Sequence, residues 1–330
     1  MFNLISTHSS MSAEIEMLAE KTRAFIAGSR ANKTVRGYQS DWADFSRWTA
    51  SHGLKALRAE PTTIAMYLSD SSSRLAVASL ARRLTSITAM HKDAGYLESP
   101  ARHPLVLATF KGIRRVIGSA QDAKMPLLTA DLGRIVAACP DTLAGLRDKA
   151  LLLTSFAAAL RRSESAALRC EDVMASTAGM HCTSGMVLTI RKSKTDQESK
   201  GRQVGIKHGA NPETCPVQAI ESWQKASGVR TGCLFRAVDF AGRVSPEGLH
   251  PDSISYIIRR CAARAGYGVE DLKKIAGHSL RAGHVSQSTL DEVPDNIVQS
   301  RTGHKSAKML DVYRRRVLLF PKHPAAGLGL

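Results

Sequence analysis

Four short stretches of the 330-residue chain carry side chains suited to phosphate chemistry. In Ala158-Ala159-Leu160-Arg161-Arg162-Ser163-Glu164 an apolar helical run, Leu143 to Leu160, ends in two arginines and a new helix begins at a Ser cap. An arginine anchored by backbone on both sides presents a forked, permanently charged guanidinium, which suits a fixed clamp on a phosphate oxygen. Taken alone, Arg161 reads more readily as a partner for the preceding helix's C-terminal carbonyls. The second stretch, Arg191-Lys192-Ser193-Lys194-Thr195-Asp196-Gln197, sets two lysines where a β-turn can carry one of them into a cleft, although basic hairpins are commonly only solvated. The third is His278-Ser279-Leu280-Arg281. With 11 histidines and 46 Lys+Arg, chance alone supplies one or two such spacings. The fourth is Gly303-His304, with Tyr313 nine residues on and then Arg314, Arg315 and Arg316. An amphipathic helix with an inward tyrosine explains that pattern too.

Other devices for such chemistry do not occur in the sequence. No two histidines are four apart, as a metal-binding pair on one helix face requires, and His278 and His284 are six apart. The six cysteines (Cys139, Cys170, Cys182, Cys215, Cys233, Cys261) form no C-x-x-C pair and read as reduced, mostly buried thiols. There is no G-x-x-x-x-G-K-[ST] loop and no G-x-S-x-G elbow. The expectation is chemistry with no metal and no cofactor.

The order of the four stretches is more specific than any one of them. Arg, then a hairpin Lys, then H-x-x-R, then G-H, then Tyr resembles the signature of the tyrosine recombinases, the phage integrase family. Ala159-Leu160-Arg161-Arg162-Ser163-Glu164 is similar to that family's G-L-R-x-S-E, with alanine replacing the glycine, and Thr302-Gly303-His304 to its L-G-H. Thr34 to Trp48 and Leu80 to Gly95 resemble the core-binding domain of Cre-like integrases, so the likeness runs from about residue 30 to 316.

That resemblance implies the roles. Tyr313 is the nucleophile that forms a 3′-phosphotyrosyl link and frees a 5′-hydroxyl. A phenol of pKa about 10 needs help with its charge and its proton. Arg161 and Arg281 hold the non-bridging oxygens as charge accumulates. Lys194, with Lys192 as the competing choice, protonates the leaving 5′-oxygen. His278 assists proton transfer from the tyrosine or binds the phosphate, His304 donates a hydrogen bond to the phosphate, and Glu164 orients His278 or an arginine. Exchanging a phosphodiester for a phosphotyrosine of similar energy requires no ATP.

These residues need a scaffold, and the pattern around them implies a mainly α protein with a small antiparallel β-sheet: a helical core-binding domain plus an α+β catalytic domain. In the first part Val35, Tyr38, Trp42, Phe45 and Thr49 mark a helix between a Thr34 cap and Gly53. Further helices are predicted from Pro61 to about Leu68, over Leu75 to His91, and over Val106 to Ile113 before Gly118. Beyond the proline-terminated stretch 119–126, helices are predicted near Leu132 to Val136, at Pro216 to Ala226, Ser253 to Ala265, Leu280 to Leu290, Pro294 to Ser300 and Ser306 to Arg315. Alternating runs Met186 to Lys192 and Arg202 to Lys207 read as a β-hairpin. The domain limits follow: a tail 1–12, a helical DNA-binding domain 13–118, a linker 119–126, a catalytic domain 127–316 and an apolar tail 317–330.

With 46 Lys+Arg against 29 Asp+Glu the formal charge is +17, divided +7 before and +10 after Gly118. A polyanion is the expected partner. The expectation from the resemblance is double-stranded DNA at a specific recombination site, gripped between the two domains, with a homo-tetramer assembled on it. Arg36, Arg82, Arg83, Lys111, Arg114, Arg115, Arg259 and Arg260 are the expected contacts, with affinity falling steeply with salt. The absence of a span of roughly 20 apolar residues and of a signal-peptide pattern points to the cytoplasm rather than a membrane. A type IB topoisomerase-like relaxing enzyme, a non-catalytic DNA binder and a metal-dependent nuclease are the rival readings. The target sequence, accessory proteins and biological setting are not written in the residues.

Overall fold

The computed structural model describes residues 13–96, 98–118, 124–176, 184–193, 196, 200–304, 306, 309–311 and 313. Lys194, the tail 1–12, most of the 119–126 stretch, Cys182, Arg314 to Arg316 and the tail 317–330 lie outside them. The chain divides into two units, Met1–Asp122 and Ala123–Leu330. Its class is mainly α with small antiparallel sheets.

The first unit consists of helices α1 (Ala13–Gly28), α2 (Asn32–Ser51), α3 (Pro61–Ser71), α4 (Val77–Asp93) and α5 (Pro104–Ile117). Helices α3 and α5 each begin with proline, whose missing N–H is one the first turn leaves unpaired anyway. Phe45, Ile64, Tyr67, Leu68, Leu80, Ile87 and Val106 form its core. The sequence did not single out α1, whose Ile15, Met17, Leu18 and Phe25 are exposed.

Charge also holds this unit together. Asp41 is buried on α2 and receives the Arg82 Nε and Nη2 at 2.7 and 2.8 Å. Arg83, only 12% exposed, donates to the Asp41 carbonyl at 3.0 Å and pairs with Asp44 at 3.1 Å. The expectation that Arg83 presents itself to DNA therefore needs correction, whereas Arg82, 58% exposed, stays at the surface while paired with Asp41. Acids three apart on α2 occupy one face and turn Arg83 inward, because a buried carboxylate without partners costs more than that arginine gains from solvent. Arg36, Lys111, Arg114 and Arg115 are exposed.

The second unit opens with α6 (Thr129–Ala137), α7 (Leu143–Ala157) and α8 (Arg162–Ala167). Strands β1 (Val173–Ser176), β2 (Gly185–Ile190) and β3 (Arg202–Lys207) follow and pair antiparallel in the order β1-β2-β3. Then come α9 (Pro216–Ser227), the two-stranded β4 (Arg236–Val238) and β5 (Val244–Gly248), α10 (Pro251–Arg264), α11 (Val269–Lys274), α12 (Ser279–Leu290) and α13 (Asp295–Thr302). Helix α7 runs through the core, with Ala150, Leu151, Leu152 and Leu153 buried. The hairpin was legible; β1, the β4–β5 pair and α11 are too short to show periodicity.

Helix α7 ends at Ala157, three residues before the expected Leu160. The Ala159 N–H bonds Phe156 O at 3.0 Å and the Leu160 N–H bonds Ser155 O at 2.9 Å, the paired reverse bonds of a Schellman ending. Ala159 occupies the left-handed position at φ +49°, where glycine is at ease and alanine is strained. Ala159→Gly is therefore expected to raise stability in denaturant unfolding, by up to about 1 kcal/mol after the glycine's extra unfolded-state entropy is deducted. An unchanged or lower midpoint contradicts the strain argument.

Candidate active site

The turn after α7 delivers Arg161. It is the N-cap of α8, not a residue ahead of a Ser163 cap, and Glu164, three residues on, accepts its backbone N–H at 3.1 Å. The same carboxylate accepts the Arg161 Nη1 at 2.7 Å, so Glu164 orients an arginine. Buried, Glu164 would ordinarily resist ionising. Arg202 above all, then Arg161, hold its carboxyl below the usual range.

Arg281 lies in the first turn of α12, fully covered at 0% exposure. Its Nη1 donates to Ala159 O and its Nη2 to Thr302 O, each at 2.6 Å, so the strained turn and the end of α13 hang on one guanidinium. Burial, then repulsion from Arg161, lowers its pKa to about 10, and it remains a cation at neutral pH.

Arg281 Nη2 also lies 3.0 Å from His304 Nε2. A guanidinium can only donate, so His304 accepts there and carries its proton on Nδ1. Nδ1 is 2.9 Å from Thr302 Oγ1, whose own proton goes to Val298 O at 2.7 Å. His304 is thus a neutral acceptor locked behind Arg281. The expectation that it donates to the phosphate is not met in this arrangement, since both ring nitrogens are engaged. Gly303 makes the turn possible: at φ +67° it closes α13 in the left-handed form.

His278 caps α12 from a turn held by the Gly277 N–H bonding Ser255 Oγ on α10 at 3.1 Å. Its Nε2 is 2.7 Å from the Tyr313 hydroxyl. Residues 309–311 and 313 are helical, and Leu310 packs with Val285 and Val298 while Tyr313 lies against them. Partial burial, then the charges of Arg281 and Arg161, pull the His278 pKa below its ordinary value and favour the neutral ring. Arg161, Glu164, His278, Arg281, His304 and Tyr313, spread over 153 positions of sequence, therefore converge in one place.

The structure adds Arg202, which joins Glu164 at 3.0 Å. Its signal was present in the sequence: Arg202 shares the strand phase of the buried Val204 and Ile206. Lys192 is exposed at the hairpin. Arg259 is exposed on α10, but Arg260 is committed to the buried Asp148 at 2.6 Å, so its expected place on a DNA face is corrected. Among the described residues no three His, Cys, Asp or Glu side chains gather as a metal site, and no helix is long and apolar enough to cross a membrane.

Burial and neighbouring cations lower both His304 and the buried His284 to about 4. The unfolded chain protonates these rings near 6.5 and so takes up more protons as pH falls. The stability they contribute is whole above about pH 6.5 and is lost on descending toward 4, on the order of a few kcal/mol. Thermal melts are expected to fall across that window, and His284→Phe to remove roughly half of the slope. A melting temperature flat from pH 6.5 to 4.5 would contradict these neutral rings.

A tyrosine hydrogen-bonded to a histidine beside two fixed arginines, on a helical scaffold with a β-hairpin, is an arrangement suited to phosphoryl transfer. Residues 127–317 match the phage integrase family and residues 24–94 the N-terminal SAM-like domain of phage integrases. The chain is 32% identical over 301 residues to the integrase/recombinase xerD homolog of Selenomonas ruminantium, covering 90% of this chain and 86% of the other. The chain belongs to the phage integrase family and is a site-specific DNA recombinase. Its fold is that of the XerH recombinase bound to difH substrate in a pre-cleavage complex, with a TM-score of 0.61, 17% identity, and coverage of 94% of this chain and 84% of that one. A lambda integrase dimer bound to a COC′ core site is similar too, with a TM-score of 0.57, 16% identity, and coverage of 91% and 94%.

Proposed function

We propose that Tyr313 attacks a DNA phosphodiester, forming a 3′-phosphotyrosyl bond and releasing a 5′-hydroxyl, and that a 5′-hydroxyl from a second duplex reverses the step through a Holliday junction. The observation that carries this is the 2.7 Å contact between His278 and the Tyr313 hydroxyl. As the P–O bond forms, the phenolic proton passes to His278 Nε2, and the developing phosphorane charge meets Arg161. Arg281 contributes from beneath, where burial leaves its charge poorly screened. His304 holds Arg281 in place. Lys194 protonates the departing oxygen, with Lys192 the alternative. Residues 13–118 and 127–316 are the functional domains, joined by 119–126.

The chain's partner in this reading is a specific double-stranded DNA site, bound through the exposed Arg36, Arg82, Lys111, Arg114, Arg115 and Arg259. Four copies act together, a reading supported by the structurally similar lambda integrase tetramer bound to a Holliday junction. The work takes place on nucleoid DNA in the cytoplasm. The recombinase names of the relatives favour strand exchange over relaxation of a single duplex.

The test is to incubate the protein with nicked DNA fragments from its source cell, in chelator, and sequence whatever becomes protein-linked. The expected product is one recurring sequence joined through its 3′ phosphate to Tyr313, with a free 5′-hydroxyl that accepts a kinase label. No covalent product, or a 5′ linkage, overturns the reading.

A further inference from the structure

Arg202 opens β3 opposite Ile190 and turns inward with Val204 and Ile206, leaving its side chain 16% exposed. Its Nη2 donates to Glu164 Oε2 at 3.0 Å, the oxygen that also accepts the Arg161 backbone N–H. In a second direction its Nε donates to Arg301 O at 3.2 Å. The next residue, Thr302, gives its carbonyl to Arg281, and after it Gly303 lies against the Arg202 guanidinium, where an added Cβ would stand 3.6 Å from Nη1. One side chain thus ties three segments: the base of the hairpin, the Arg161–Glu164 start of α8, and the turn that carries His304.

The chemistry of the tie is informative. Arg202 and Arg161 together hold Glu164 ionised, but charge is not all that Arg202 supplies. What Arg202 adds is direction. Glu164 spends one oxygen on the Arg161 side chain and the other on the Arg161 backbone and Arg202, so the carboxylate cannot rotate without breaking a charged hydrogen bond. Only a guanidinium donates along two diverging lines from a rigid plane, and lysine at this position can neutralise Glu164 but cannot also hold the Arg301 carbonyl.

We infer that Arg202 is a positioning residue for DNA cleavage, setting Arg161 through Glu164 and setting the Arg281–His304 pair through the Arg301–Gly303 turn. The inference rests on the recombinase reading of Tyr313. A misplacement of about 1 Å in a clamp on the reacting phosphate costs up to about a hundredfold in rate.

The experiment uses the full chain and the DNA recovered by covalent trapping, rebuilt as a nicked suicide duplex. Single-turnover formation of the Tyr313 adduct, DNA affinity and thermal melting are measured for wild type, Arg202→Lys and Arg202→Gln. The expected result is a cleavage rate reduced about tenfold in Arg202→Lys and about a hundredfold in Arg202→Gln, with DNA affinity within about twofold of wild type. That separation of rate from binding, with partial recovery by lysine, is not produced by a residue that only stabilises the fold. Wild-type rates in either variant overturn the inference. So does parallel loss of affinity and cleavage, or unfolding of both variants, each of which leaves Arg202 a structural role alone. Failure of the wild-type chain to form any adduct refutes the recombinase reading instead, and the two failures are thereby distinguished.

Discussion

Tyr313→Phe is expected to abolish covalent capture of DNA, by at least about four orders of magnitude, while leaving DNA affinity within about twofold. The substitution removes one oxygen and little else. Tyr313 packs against Val285, Val298 and Leu310, contacts that a phenylalanine ring keeps, and the lost hydrogen bond leaves His278 at a partly open position where water replaces the phenol. Fold and binding surface should therefore survive while the nucleophile is gone. Gel-shift titration and denaturing-gel detection of the adduct on the same nicked duplex separate the two. Strand exchange by the variant at the wild-type rate would falsify the assignment of Tyr313, and loss of binding together with cleavage would mean that the ring organises the DNA surface.

Arg281→Gln is expected to lower both cleavage and stability. The wild-type guanidinium satisfies Ala159 O and Thr302 O and bonds His304 Nε2, all within a region closed to water. Glutamine offers one amide group for these three acceptors, so at least one buried acceptor is orphaned, at about 1–3 kcal/mol. The positive charge near the reacting phosphate disappears as well, which removes about two to three orders of magnitude from the cleavage rate, the size seen when one preorganised donor to a developing oxyanion is lost. Arg281→Lys restores the charge but not the fork and is expected to recover only part of either loss. Denaturant unfolding and single-turnover cleavage measure the two effects independently. Wild-type cleavage by Arg281→Gln would remove Arg281 from the reaction altogether.

The same two effects explain why the Arg281 substitution differs in kind from the others. Arg161 is 15% exposed and reaches solvent, where DNA can meet it, whereas Arg281 is sealed below and connects the strained Ala159 turn to the His304 turn. An account of the site that treats both arginines as equivalent phosphate clamps misses this division of labour.

Much of the architecture was written locally. The stripe Tyr38, Trp42, Phe45 and Thr49 marks α2 because its spacing matches the helical repeat, and Gly118 and Pro216 mark ends and starts through backbone geometry alone. Elements of three to six residues, such as β1, β4 and α11, carry too few positions for any period to register. The sequence pattern runs past the true end of α7 because Ala158, Ala159 and Leu160 are apolar and helix-compatible by type. The backbone turns there nonetheless, and Arg281, 122 positions away, holds the turn by its carbonyl.

The sequence by itself determined the chemistry: an ordered series of Arg161, His278, Arg281, His304 and Tyr313, and a surplus of positive charge, both of which follow from residue type and order. Only the tertiary structure decided which charges face outward and which hold the protein together. Asp41 and Asp44 claim Arg83 while Arg82 stays exposed, Asp148 claims Arg260, and Glu164 binds Arg161 and Arg202 at once. The physical reason is that a buried carboxylate must find its cation wherever the fold brings one, and sequence distance carries no information about that choice.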